Sequence, residues 1–548
     1  MRLLLLTPPL TQLNTPYPAT AYLKGLFTVQ GHCVRQADLG IEVVDRVLSP
    51  QFLAGIGMHE QARLIEPVKR FLRGLDDTLG PRIANRSLLP EGGRFAGLDE
   101  DNLEWSFGVS GTTDKAMHLA TLFIEDIADR IRETVDPHFD LVRYAEYLSN
   151  DAPAFDLLYA ELQQPPSVVD ELMITLLADI VSDFRPDRVC LTVPFPGCLY
   201  GALRCGQWLK EHTSATVEIG GGFPNTEWRQ LNDRRIYEFC DEVVIDGHPE
   251  ALDHCPDFSD LPLDKYLSLT EMTNPMHRLW SMGRWNKLVM AQGCYWHRCA
   301  FCDTSLPYIG DYRAPAAPAV VDRMERVMAQ TGRTGFHFVD EAMPPKLLGQ
   351  VAEEILRRRL AVSFWGNIRF EKAYTADLCD LLAEAGMVAV SGGLEVASDR
   401  LLQLMDKGVT VQQTVQACRH LRDAGIMVHT YLMYGFPTET LQETVDALET
   451  VRRMFDEGIV QSAFWHRYAM TCHSPSGLHP ERYGARRLSQ APNPFCNNEV
   501  DWEPQFDYDI EAVGAALRLA TYNYMNGLGL DQPLRSWFPI KVPKPSLP

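Results

Sequence analysis

Twice along this chain, short β-rich runs that end in glycine or proline alternate with stretches of helical periodicity, a rhythm that few folds satisfy. In the first series Leu3 to Leu6 ends at Thr7-Pro8-Pro9, a helix is expected over Ala21 to Thr28, and a weaker strand runs through Val34 to Leu39. Arg188 to Pro194, Thr216 to Ile219 and Glu242 to Ile245 are further strands, the last two leading into Gly220-Gly221-Gly222 and Asp246-Gly247. Strands that alternate with helices and finish on glycine predict a doubly wound parallel sheet. Val43 to Ser182 reads as mostly helical, broken by a Gly- and Pro-containing loop near Leu89 to Gly97, so the sheet should carry a large helical insertion.

A Pro- and Asp-rich linker, Cys255 to Asp264, separates this from the second series. There Lys287 to Met290, Phe336 to Val339, Val362 to Phe364, Val388 to Val390 and Met427 to Leu432 are strand-like. The intervening helices are amphipathic. Val320, Met324, Val327 and Met328 share one face, as do Leu347, Val351 and Ile355. Leu378, Leu381, Leu382 and Ala385 line a helix that stops at Gly386, and Leu441, Val445 and Leu448 line one expected to be capped by Thr438. Repeated βα units of this kind predict a partial or full βα barrel. A last helix, Tyr508 to Met525, precedes a Pro-rich tail.

The charge balance, 51 Lys+Arg against 72 Asp+Glu, gives −21 and argues against a broad nucleic-acid footprint, which needs a basic surface. The opening leucine run reaches Pro8-Pro9 too soon for a signal-peptide core, and no window has the ~18 consecutive apolar residues of a membrane span. Thirteen scattered cysteines are unlike a secreted disulfide scaffold and point to a reducing, cytoplasmic setting. Three of them lie within nine residues, Gly293-Cys294-Tyr-Trp-His-Arg-Cys299-Ala-Phe-Cys302, directly after a strand. Such a cluster holds a soft metal, does redox chemistry or arises by chance. Structural zinc wants four closed ligands, and no second pair is adjacent in sequence, although Cys190, Cys198 and Cys205 show that folding could supply one. Three thiolates suit a four-iron cluster better, because they leave one iron open. Cys33, Cys240, Cys379 and Cys418 sit in apolar or helical contexts and are expected to pack.

A strand, a three-cysteine loop with an aromatic before the last cysteine, and a βα barrel opening from it resemble a radical S-adenosylmethionine (SAM) enzyme. The resemblance implies that Cys294, Cys299 and Cys302 ligate a [4Fe-4S] cluster and that Phe301 lies beside the adenine of SAM. In that family SAM binds the open iron and is split to an adenosyl radical. The usual spacing has three residues between the first two cysteines, whereas this chain has four. Phe338-Val-Asp340-Glu341 falls where the family contacts the SAM amino group. Gly392-Gly393-Leu394-Glu395, with Ser398-Asp399-Arg400 and Met405-Asp-Lys407-Gly408, is similar to its fourth-strand segment, and Tyr434-Gly435-Phe-Pro437-Thr-Glu439-Thr440 to its fifth-strand turn. Arg369, after the third strand, is placed to grip a carboxylate of SAM or substrate. Trp465-His466-Arg467 and His473 could face substrate or simply line the rim, Arg357-Arg358-Arg359 reads as a solvated helix end, and His297 as a loop-surface residue.

The N-terminal series resembles the cobalamin-binding domain found ahead of many radical SAM modules. Thr192, Gly220, Gly221, Gly222, Asn225 and Gly247 are the implied contacts, with Thr192 meeting the nucleotide tail and the glycines letting backbone approach a large planar ligand. The Asp-x-His-x-x-Gly motif that supplies a lower-face histidine is missing, and Gly247-His-Pro-Glu250 stands where relatives show Gly-Glu-Gly-Glu. No histidine ligand to cobalt is therefore expected.

The expected architecture is a Rossmann-like cobalamin domain over residues 1–265 with its insertion at about 43–182, a partial (βα)6-type radical SAM barrel over 266–480 and a helical C-terminal region over 481–548. The expected function is methylation of an unactivated carbon of a small-molecule or natural-product intermediate using two SAM, with an external donor such as flavodoxin or ferredoxin supplying electrons. The alternative is ring rearrangement, cyclisation or peptide maturation without net methylation. A sensor without turnover is the contrasting class, against which the complete cysteine set and Glu395 argue.

Overall fold

The computed structural model describes residues 1–98, 100–107, 111–148, 154–488, 494–504 and 506–546. Two parallel sheets organise them. The first contains β1 (Arg2–Thr7), β2 (Cys33–Asp38), β3 (Arg188–Thr192), β4 (Thr216–Gly220) and β5 (Glu242–Val243), in the order β2-β1-β3-β4-β5. The chain order reverses between β1 and β3, and in such sheets the crevice beyond the strand ends at that reversal is where ligands bind. The helical text between β2 and β3 folds as the expected insertion, from Leu39–Val47 through Val168–Phe184.

The leucines of β1 do not alternate with polar residues because both faces of the strand are covered. Leu4 and Leu6 enter the core shared with the insertion, while Leu3 and Leu5 enter a core continuous with the second sheet. Each such burial is worth roughly 1.5–3 kcal/mol, so one strand joins the two halves of the molecule.

The second sheet contains β6 (Trp285–Leu288), β7 (Gly335–Phe338), β8 (Ser363–Ile368), β9 (Met387–Glu395), β10 (Met427–Tyr434) and β11 (Ser462–Arg467). All six pair in parallel and in sequence order, and β6 and β11 are edges, so the barrel is partial. Its outer face carries the amphipathic helices. Val320, Met324 and Val327 of Ala317–Thr331 and Leu347, Val351 and Ile355 of Pro345–Arg358 are buried there against Phe336, Phe338 and Phe364. The final helix, Ile510–Met525, lies on the outside of β11, where Trp465 donates its indole N–H to Thr521 Oγ1 at 2.8 Å. Trp465 is thus a packing residue.

Three local expectations change. The helix Leu441–Asp456 is capped by Thr440, whose hydroxyl and Glu443 form a reciprocal capping box, and not by Thr438, which adopts a left-handed φ of 67° two residues earlier. Cys33 is exposed, because it opens the edge strand β2, whereas Cys240, Cys379 and Cys418 are buried as expected. β9 is far longer than Val388 to Val390, since small residues Ser391, Gly392 and Gly393 continue the strand into the barrel mouth. Arg358 reaches Glu354, Asp322 and Glu325 across the helix surface, consistent with a solvated helix end. Among the described residues no helix is long and apolar enough to cross a membrane.

Candidate functional site

The cysteine loop leaves β6 and is held by its backbone. Asp340, fully buried after β7, accepts from the amides of Met290 and Ala291 at 2.8 and 2.7 Å. Burial pushes its carboxyl up to about 7, against those two amides. Both oxygens are thereby engaged, so Asp340 braces the start of the loop, and it is Glu341 next to it that reaches the cavity of the cysteines. Gly293 turns the chain with φ 69°, at a place where a Cβ would lie 2.7 Å from the Asp311 carbonyl. Cys294 then donates its amide to Ile309, Ala300 to Met405, and the Trp296 indole to the Asp406 carbonyl.

These bonds bring Cys294, Cys299 and Cys302 to one cavity of about 170 Å³. Among the described residues no group of three or more His, Cys, Asp or Glu side chains is arranged around a single ion. The donor set is three thiols from one short loop facing a shared space, which fits a cluster whose thiolates sit on different irons. The Cys302 thiol donates to Cys299 and holds it below the usual thiol range, helped by Lys407 and Arg369 and opposed by burial; Cys302 itself is raised.

The opposite wall gathers Phe301, Arg369, Gly392, Gly393 and Glu395, all expected, together with Ser391, Lys407 and Tyr431, which were not assigned. Glu395 ends β9 where the ladder to β10 shifts by a residue between the Gly393–Tyr431 and Glu395–Leu432 pairs. Such a bulge re-aims a side chain, and Glu395 pairs with Lys407 Nζ at 2.6 Å, both nearly buried. Lys407 lies 5.4 Å from the centre of the Phe301 ring. Arg369 is buried with its guanidinium 4.7 Å over Trp296, Nη1 3.6 Å from Cys299 Sγ and Nη2 donating to the Lys407 carbonyl, while its Nε lies 3.8 Å from Glu371 Oε2. A buried guanidinium beside the thiols places positive charge where an anionic group would be attracted. Gly392 and Gly393 give the room: a Cβ on Gly392 would lie 2.7 Å from the Phe370 ring, and on Gly393 1.7 Å from Glu395 Oε1. His297 faces this cavity but is exposed, with Nδ1 2.9 Å from the Cys294 carbonyl.

A larger cleft of about 390 Å³ joins the reversal point of the first sheet to the barrel mouth. Thr192, Gly220, Gly221, Asn225 and Gly247 line it, as do Tyr17 and the barrel residues Tyr308 and Glu341. Gly222 does not; it starts the helix Gly222–Glu227 and packs under Pro194. Asn225 uses Oδ1 to accept from the Asp246 amide, tying two strand-end loops together. His248 is on the cleft wall, its Nδ1 3.0 Å from Glu250. The cleft also runs down between the helix Ala19–Val29, through Tyr22, Leu23 and Phe27, and the strand interiors at Cys190 and Glu218. Glu341 lines both cavities, so they meet there. His466 and Arg467 are exposed on β11, and His473 approaches the Thr226 carbonyl at 3.2 Å; none of the three lines the cysteine cavity or the cleft.

Below the mouth, Lys287 and His337 are register partners on the inner face of β6 and β7, and His337 stacks on Trp365 at 3.6 Å. Lys287 is buried, with no hydrogen-bond or ion-pair partner among the described residues, and burial lowers it to about 7. The folded protein therefore releases this proton more readily than the unfolded chain, so stability rises with pH from about 7 to about 10.4, the ordinary lysine value. Lys287→Met is expected to raise the thermal midpoint at pH 7, by an amount that shrinks towards pH 10; a pH-independent difference would contradict this.

Comparison with known proteins finds a family match across most of the barrel. Residues 288–451 match the family described as the radical SAM superfamily. The chain is 28% identical over 218 residues to the anaerobic magnesium-protoporphyrin IX monomethyl ester cyclase of Rubrivivax gelatinosus, covering 39% of this chain and 36% of that protein. It is 22% identical over 319 residues to an uncharacterized methyltransferase of Pyrococcus horikoshii, covering 52% and 68%. Among solved structures it is similar to the radical SAM methyltransferase TsrM of Kitasatospora setae, which has cobalamin and a [4Fe-4S] cluster bound, with TM-score 0.45, 18% identity, and 64% and 82% coverage. The match thus spans about a third of the cyclase. The chain carries a radical SAM superfamily domain in its C-terminal half, and that domain implies a [4Fe-4S] cluster and SAM.

Proposed function

We propose that the protein is a cobalamin-dependent radical SAM enzyme that methylates an unactivated carbon of a small-molecule intermediate. The observation that carries this is the meeting of the two cavities at Glu341, one bearing the three thiols and the other the strand-end glycines. When bound, the cluster with SAM supplies one-electron hydrogen abstraction, and a corrinoid supplies a methyl group.

Cys294, Cys299 and Cys302 would hold the cluster. The Arg369 guanidinium would attract the SAM carboxylate, Phe301 gives an apolar surface, and the Glu395–Lys407 pair fixes the wall against which SAM would lie. Thr192 and Gly220–Gly221 would hold the corrinoid, with the part of the cleft lined by Tyr22, Leu23 and Phe27 taking its tail. Tyr17, Tyr308 and Glu341 wall the space between, where a substrate carbon would be presented to both cavities and shielded from water. Gly221 has φ 120°, and a Cβ there would lie 2.5 Å from the Val193 carbonyl. Gly221→Ala is expected to weaken corrinoid retention by at least about tenfold while leaving cluster iron intact, as read by equilibrium dialysis; unchanged retention would count against the cleft.

The match to a cyclase favours a second reading, in which the same radical closes or rearranges a ring without methyl transfer. Product mass separates the two. Anaerobic enzyme with a flavodoxin-type donor and methyl-labelled SAM, screened against candidate substrates, should give a labelled product heavier by one CH₂. SAM cleavage with an unlabelled product would establish the second reading instead. We place the protein in the cytoplasm, where free thiols and such donors are kept reduced.

A further inference from the structure

Below the strand-end glycines the cleft continues along one face of β3 and β4. Side chains two apart on a strand share a face. The register partners Thr192 and Gly220 therefore form one layer of that face, and Cys190 and Glu218 form the next layer down. Both layers line the cleft. The facing wall is apolar: Tyr22, Leu23 and Phe27 of the helix Ala19–Val29, packed in one core with Leu252. The deeper part is thus a slot between a helix and a strand face.

A carboxylate is unusual in such a slot. Glu218 is 8% exposed, and a buried charge is retained where it is paired and hydrogen-bonded. Its Oε1 accepts from Arg188, which lies one layer further down and is not part of the cleft lining. At its Oε2 stands the Cys190 thiol, 3.5 Å away and a weak donor. Burial, and then the Glu218 charge, push that thiol well above its usual range, so Cys190 keeps the proton it donates. A carboxylate oxygen accepts two hydrogen bonds, so Oε2 has capacity for a stronger donor. Among the described residues β3 and β4 bring no other carboxylate to the cleft. Asp246 follows β5 and is paired with Arg229, and Asp340 and Glu341 belong to the barrel end.

We propose that Glu218 selects the lower base of the corrinoid: the slot takes the flat base at the end of the nucleotide tail, and Glu218 accepts a hydrogen bond from an N–H on it. The apolar helix wall covers the ring, and the carboxylate on the strand face meets the donor. A benzimidazole nitrogen lifted off the cobalt is basic. Beside a carboxylate in a dry slot it holds a proton taken from solvent, and the resulting hydrogen bond is charge-assisted. A phenolic lower ring, linked through its oxygen, has no N–H to offer. This assignment rests on the corrinoid reading above and deepens it.

The test is equilibrium dialysis of the full-length, cluster-reconstituted protein against three corrinoids in their Co(II) forms, read by absorbance. These are cobalamin, a cobamide whose lower ring is p-cresol, and cobinamide, which has no lower base. Each is compared between wild type and Glu218→Gln, so that the cost of lifting a base off cobalt cancels. Glu218→Gln should weaken cobalamin about tenfold or more, the worth of one charge-assisted hydrogen bond, and leave the other two within about twofold. Their retained binding shows that the slot is still folded, and Glu218→Met, which fills similar volume without charge, should repeat the pattern. Weakening of all three corrinoids alike, or of none, by both variants would overturn the proposal. Wild-type protein that keeps its iron and binds none of the three would overturn the corrinoid reading itself, and the choice of base with it.

Discussion

Replacing Cys294, Cys299 or Cys302 singly by alanine should give a folded protein that takes up little iron on anaerobic reconstitution and cleaves SAM more than about 100-fold more slowly. The effect is large because the three thiols are, among the described residues, the only cysteines on that cavity, and two thiolates leave a second iron unheld. Cys294 is the informative member, since the extra residue between it and Cys299 lengthens the loop. That residue is accommodated within Tyr295 to Arg298, where His297 takes a left-handed φ of 36° and folds back on the Cys294 carbonyl. Equal iron content in Cys294→Ala and wild type would remove Cys294 from the ligand set. Replacing the packed Cys379 or Cys418 by alanine should leave iron content unchanged.

The second large effect concerns Lys407. Its ammonium is buried against Glu395, and burial is more than offset by that carboxylate and by Cys299, so it stays charged. Lys407→Met would strand Glu395 in a nearly dry wall, and breaking a buried pair on one side costs about 3–5 kcal/mol. The thermal midpoint should fall by several degrees. SAM binding should weaken as well, because the variant removes a buried ammonium from the wall of the cysteine cavity. The double change Glu395→Gln with Lys407→Met should recover most of the stability and none of the SAM affinity. A single variant as stable as wild type would show the pair to be dispensable.

The pattern of periodicities and strand-end glycines was enough to place both parallel sheets, and the cysteine loop with its ordered companions to bring the three thiols to one cavity. What escaped the sequence depended on contacts between distant segments. Lys407 sat in a stretch already noted, but its role comes from a carboxylate twelve positions earlier that a register shift turns towards it. Asp340 was assigned to the SAM amino group from its place after a strand; only the fold shows the Met290 and Ala291 amides filling both its oxygens. Thr438 and Thr440 are equivalent by local pattern, and the reciprocal bond from Glu443 decides between them.

The central claim is that one chain holds two cofactors in adjoining cavities. Its most direct test is the absorption spectrum and metal content of anaerobically purified protein after supply with iron, sulfide and hydroxocobalamin, followed by desalting. The account predicts about four irons and about one corrinoid retained per chain, with both chromophores in the spectrum. A protein that keeps its iron but passes all the corrinoid through the column would contradict it.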